Sequence, residues 1–157
     1  MDQQFLVKEC NDLNSTKLLG QTIGHNLRGG EIIELSSDLG GGKTTLVKAI
    51  VEGTGSEDLV SSPSFTICNQ YRASNFTIYH YDFYRLTDPG IMKQELEENI
   101  ADDRAVIIIE WPGIVEGVLP KNRLSIDIEV TGDDARKFHF TFNQDIEYLL
   151  KDVYLKI

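Results

Sequence analysis

The segment Ser37-Asp38-Leu39-Gly40-Gly41-Gly42-Lys43-Thr44 restricts the fold of this chain more than any other. A short, mainly apolar stretch (residues 31–36, EIIELS) precedes it, and Leu46, Val47 and Ile50 follow at helical spacing. Strand, glycine-rich turn and helix in that order match the pattern G-x-x-x-x-G-K-[ST], except that Ser37 stands at its first position. Glycines let successive backbone N–H groups turn inward as a nest for a phosphate, with no Cβ atoms in the way. The helix that follows points its positive end at the same place. In such a loop Lys43 is expected to reach the β- and γ-phosphates, and Thr44 to offer its hydroxyl to Mg²⁺. The plainer alternative is a loop that only turns the chain; the flanking strand and helix favour phosphate. Ser37 would be strained only if its backbone needed a positive φ.

A phosphate loop needs an acidic partner at the end of a neighbouring strand. Val106-Ile107-Ile108-Ile109-Glu110 supplies one. A carboxylate closing a buried run is costly without a cation or donors, so Glu110 is expected beside the metal, the alternative being a strand-end glutamate facing solvent. A third element is His80-Tyr81-Asp82-Phe83-Tyr84-Arg85. Strand alternation would put His80, Asp82 and Tyr84 on one face. Asp82 is then a candidate to position a nucleophile or hold a metal-bound water. His80 and Asp82 lack a third clear ligand for a transition metal, so His80 reads better as a packed or hydrogen-bonded histidine. Arg85 either stabilises transition-state charge or pairs with a local carboxylate. Residues 61–66 (SSPSFT) read either as a nucleotide-sensing loop or as a plain proline-containing turn.

The other elements follow from periodicity. A strand is expected at residues 5–9. A helix begins near Asn14-Ser15, carries Leu18, Leu19, Ile23 and Leu27, and ends at Gly29-Gly30. The helix after the loop covers 44–53. Strands at 66–72 and 76–83 flank a turn at Ala73-Ser74-Asn75, and 89–99 is a helix with a proline near its start. The run 105–109 is a strand covered on both faces. Residues 124–130 and 137–142 form a second hairpin, and a short helix starts at Asp145. At 157 residues this predicts one domain, residues 1–157, of α/β class with helices on a mixed sheet.

Composition narrows the function classes. The net charge of −10 leaves little for gripping nucleic-acid phosphates, so direct DNA or RNA binding is not expected. Acidic groups at 95–103 and 127–134 are either solvated faces or a surface for a basic partner. No membrane span or signal peptide is expected. Cys10 and Cys68 form no C-x-x-C pair, which suits the cytoplasm.

Together these segments resemble the TsaE (formerly YjeE) family of bacterial ATPases over about residues 18–120. The resemblance is carried by Asp38 to Thr45, by S-P-S-F-T from Ser62, by H-Y-D-F-Y-R-L from His80 with Asp88-Pro89 after it, and by I-E-W-P from Ile109. It implies a P-loop NTPase three-layer sandwich with a mixed central sheet and helices on both faces. It implies ATP and Mg²⁺ as ligands and a weak ATPase that supports TsaD and TsaB in forming N6-threonylcarbamoyladenosine beside the anticodon, with tRNA held by that complex. By motif, Asp38, Leu39, Gly40, Gly41, Gly42, Lys43, Thr44, Thr45 and Trp111 would meet nucleotide. Thr44 and Glu110 would hold Mg²⁺, and Asp82 with Glu110 would be catalytic. Three departures stand out. Ser37 replaces the usual glycine, and Ser64 the usual threonine. Gly132-Asp133-Asp134-Ala135-Arg136 stands where G-R-E-x-R is common, so Asp133 replaces a basic residue. For the adenine, Thr16 and Trp111 are the candidates. Two rival functions remain: a small-molecule kinase, for which the scattered arginines form no lid, and a non-catalytic nucleotide switch. No N-K-x-D motif points to GTP.

Overall fold

The computed structural model describes residues 2–38, 40–88 and 90–153. Its strands are β1 (Gln4–Cys10), β2 (Ile32–Ser36), β3 (Cys68–Arg72), β4 (Thr77–Asp82), β5 (Ala105–Glu110), β6 (Leu124–Val130) and β7 (Arg136–Phe142). The helices are α1 (Leu13–Asn26), α2 (Lys43–Gly53) and α3 (Gly90–Ile100), with 3-10 helices at Pro112–Val118 and Gln144–Leu150. The strands make one mixed sheet in the order β1-β7-β6-β2-β5-β4-β3. Its four central members, β6, β2, β5 and β4, are parallel. The outer strands β1, β7 and β3 join antiparallel. This is an α/β fold with a mixed seven-stranded sheet.

The apolar run of β5 explains where the core sits. Alternation sends Val106 and Ile108 to one face and Ile107 and Ile109 to the other, and all four are buried. The first face packs on Leu19 and Ile23 of α1, Leu46 and Ile50 of α2, and Leu149. The second packs on Leu96 of α3 and Val115 and Leu119 from around the 3-10 turn. A parallel strand buried on both faces reads as a continuous apolar run because it has no solvent side.

Helices α1 and α2 touch backbone to backbone. A Cβ on Gly24 would stand 2.0 Å from the Ile50 carbonyl oxygen, and one on Gly53 2.2 Å from that of Gln21. Gly24→Val should therefore lower stability by about 1–3 kcal/mol through overpacking, or roughly 3–10 °C in Tm. Thermal melts of the two proteins check this; an unchanged Tm would mean the helices can part without loss.

Element boundaries shift for identifiable reasons. Asp12, rather than Asn14 or Ser15, caps α1, its carboxylate accepting the Ser15 N–H at 2.7 Å. Leu27 lies just past the helix end yet stays in the core. The third strand starts at Cys68 rather than Thr66, because Ile67 has φ 69°, a left-handed conformation that cannot continue a strand. The C-terminal helix is a 3-10 turn capped by Asn143, which accepts the Asp145 N–H. Pro89, the expected helix start, lies outside the described residues. Among the described residues, no helix is long and apolar enough to cross a membrane, and Cys10 and Cys68 are free thiols.

Candidate functional site: a glycine loop facing two carboxylates

Strand β2 ends at Ser36 and α2 starts at Lys43, so the glycine loop spans the carboxyl edge of the parallel core. Gly42 caps α2 at φ 98° and offers no side chain to its first-turn N–H groups. Those donors are left to the cleft, which is how a helix start receives an anion. The left-handed φ requires glycine there. Gly41 packs against Ser37, whose Oγ would lie 2.5 Å from an added Cβ. Ser37 itself is not among the described positive-φ residues, so serine costs no backbone strain at the motif's first position.

Lys43 is 8% exposed. Its Nζ donates to Ser37 Oγ at 3.1 Å and lies 4.8 Å above the Trp111 ring. Among the described ion pairs it meets no carboxylate. A buried ammonium held by one serine and an indole face is poorly compensated, and it fits a site built for an anionic group.

Across the cleft, parallel pairing of β4 with β5 aligns Asp82 with Glu110. Both are buried. Asp82 accepts the Ser64 hydroxyl at 3.1 Å on Oδ2 and the Tyr84 N–H at 3.0 Å on Oδ1. Ser64 Oγ also lies 2.8 Å from Ser62 Oγ, and the Asp82 N–H donates to Ile67 O at 2.8 Å. The 61–67 loop is thus tied to the strand end. Glu110 Oε2 meets His80 Nε2 at 2.7 Å, so His80 is hydrogen-bonded to Glu110 rather than paired with Asp82. Among the described residues, no cluster of three or more His, Cys, Asp or Glu could hold a metal unaided. A hard cation here would draw on Thr44, Glu110 and the oxygens of a bound phosphate, the donor set Mg²⁺ prefers.

One cleft of about 310 Å³ gathers Gly40, Gly41, Gly42, Lys43, Thr44, Thr45, Asp82, Glu110 and Trp111, together with Ser62, Ser64 and Tyr84. Three other candidates lie as follows. Asp38 lines a different hollow beside Asp127 and Glu129. Thr16 is buried on α1 and does not line the cleft. Tyr84 follows the end of β4 instead of sharing its face, and reaches the cleft by packing on Trp111 at 5.0 Å. Leu39 lies outside the described residues. Trp111 adopts a left-handed backbone, φ 56° and ψ 59°, a conformation that costs about 1–3 kcal/mol and gathers at functional sites.

The arginines do other work. Arg85 stacks on Phe65, with Cζ 4.7 Å from the ring centroid. Arg136 donates from Nε to the Gly41 carbonyl at 3.0 Å, bracing the loop from β7. Tyr84 and Arg136 were not expected as site residues. Ser62 and Ser64 were signalled only through their segment, the hydroxyl-rich run at 61–66 with its S-P-S-F-T motif.

A strand, glycine loop and helix facing two strand-end carboxylates, at the carboxyl edge of a parallel core, define an α/β protein with an open helix start at its cleft. Known proteins narrow this further. The family model for "Threonylcarbamoyl adenosine biosynthesis protein TsaE" matches residues 10–138. The "tRNA threonylcarbamoyladenosine biosynthesis protein TsaE" of Bacillus subtilis (strain 168) is 36% identical over 130 residues, covering 80% of this chain and 78% of that protein. Its counterpart in Rickettsia felis is 34% identical over 128 residues, 80% and 74% of the two chains. A crystal structure of Bacillus subtilis YdiB superposes with a TM-score of 0.75 at 28% identity, covering 99% of this chain and 97% of that one. The chain belongs to the TsaE family.

Proposed function

We propose that this chain is a P-loop ATPase of one domain that binds ATP with Mg²⁺ in the cleft and hydrolyses it slowly, in the cytoplasm. The ATPase supports TsaB and TsaD in forming N6-threonylcarbamoyladenosine on tRNA, and tRNA is met only through that complex. The observation that carries this reading is Lys43, a buried cation with no carboxylate partner among the described residues, set at an uncapped helix start opposite two buried acids. In this reading the N–H groups of the glycine loop and Lys43 take the phosphates, and Thr44 and Glu110 hold Mg²⁺. The metal would supply charge neutralisation on the phosphate oxygens. Asp82, fixed by Ser64 and Tyr84, orients the attacking water. Trp111 packs beside the nucleotide.

Slow turnover follows from the arginines. None lines the cleft among the described residues, and an arginine finger is worth about 10³- to 10⁵-fold in rate. Stimulation is therefore assigned to partners. ATP hydrolysis by the chain alone, then with TsaB, TsaD and tRNA, tests this. Stimulation by the partners, lost in Glu110→Ala while ATP still binds, is the expected result. Phosphoryl transfer to a metabolite faster than to water would point instead to a small-molecule kinase.

A second reading is favoured by the Ser62, Ser64 and Asp82 contacts. A loop bonded to a carboxylate of the cleft can change order with nucleotide state, as switch segments do. ATP binding without turnover, even with partners present, would leave only that role.

A further inference from the structure

His80 is fully buried and hydrogen-bonded at one ring nitrogen only. Its Nε2 lies 2.7 Å from Glu110 Oε2, whereas Nδ1 has no partner among the described residues. Ile78 precedes His80 on β4, Val106 and Ile108 flank it on β5, and Asn69 stands opposite it on β3, with its side-chain amide donating to Ser61. An aliphatic side chain would fill the same space without leaving a buried polar atom unsatisfied. Among the described residues, the side-chain hydrogen bond that offsets this cost is the one to Glu110.

That bond has a directional consequence. A carboxylate only accepts, so the imidazole Nε2–H donates and Oε2 is engaged. Glu110 lines the cleft, and Oε1 is the oxygen left to serve it. We propose that His80 is a positioning residue: it clamps Glu110 through Oε2 so that the carboxylate presents Oε1 to the divalent cation of bound nucleotide. The inference rests on the Mg²⁺–ATP reading of the cleft. Outer-shell donors of this kind typically change metal affinity by about 10- to 100-fold when removed.

The test uses Trp111, the single tryptophan of the chain, whose ring lies over Lys43 in the cleft. Its fluorescence is followed as Mg²⁺ is titrated at fixed ATP, and as ATP is titrated in EDTA. His80→Phe removes the donor, and His80→Gln returns an N–H near the Nε2 position. The phenylalanine variant should raise the Mg²⁺ midpoint about 10-fold or more while leaving metal-free ATP binding unchanged. The glutamine variant should recover most of the loss. If His80→Phe does not fold, His80→Asn replaces it, because its amide sits at the Nδ1 position and cannot reach Glu110. An unchanged midpoint in folded variants, or glutamine as impaired as phenylalanine, overturns the positioning role. A wild-type chain that shows no response to Mg²⁺ and ATP overturns the nucleotide reading, and this inference with it.

Discussion

Asp82→Ala should slow ATP hydrolysis by about 100-fold or more, the scale of a positioned acid–base group, with ATP affinity nearly intact. The structure separates the two effects. Asp82 sits at the end of β4, opposite the glycine loop, and its contacts are the Ser64 hydroxyl and the Tyr84 N–H, not the loop itself. Loss of the carboxylate therefore removes whatever orients water and leaves the phosphate nest alone. It also frees Ser64, so a looser 61–67 loop is a competing cause. Asp82→Asn keeps an acceptor for Ser64 and separates the causes: the loop explanation predicts recovery in Asn, and the water explanation does not. Single-turnover hydrolysis, with binding followed by Trp111 fluorescence, gives both numbers. Turnover at the wild-type rate in Asp82→Ala would reduce the residue to an anchor for the loop.

Lys43→Ala should weaken ATP binding by about 10- to 100-fold, the equivalent of one or two charge-assisted hydrogen bonds. Its effect on the free protein should run the other way. Lys43 is buried, with Ser37 and the Trp111 face as its partners, and a poorly compensated buried ammonium opposes folding. The alanine variant is expected to melt no lower than wild type, and to lose most of the rise in Tm that ATP gives by binding the native state. Calorimetric melts with and without ATP check both halves. Equal stabilisation of the two proteins by ATP would mean that the phosphates sit elsewhere.

Serine at the first position of the motif is the clearest case of an ambiguity that only the folded loop removes. In sequence Ser37 reads as either strained or harmless, depending on φ. In the structure it lies outside the positive-φ set, and its hydroxyl accepts from Lys43 while donating to the Asp38 carbonyl. The left-handed positions fall on Gly40 and Gly42 instead. Likewise, no role for Arg136 is legible in the sequence, yet in the structure it reaches the loop through the Gly41 carbonyl.

What the sequence determined by itself is what depends on near neighbours along the chain. The strand, glycine turn and helix around Lys43, the doubly covered run of β5 ending in Glu110, and the two hairpins all rest on spacings of two to four residues, which local geometry imposes. Tertiary structure decided the rest. The insertion of β5 between β2 and β4 sets Glu110 beside Asp82 and within reach of His80, 30 residues away. Folding of the 61–67 loop onto the end of β4 brings Ser64 to Asp82, and the return of β7 brings Arg136 to Gly41 across 95 residues. Close packing of α1 on α2 makes Gly24 a contact with the Ile50 carbonyl. Strand order, a left-handed residue at Ile67 and the approach of two helices are properties of the assembled sheet. Periodicity records which face a residue takes, but not which distant residue waits on it.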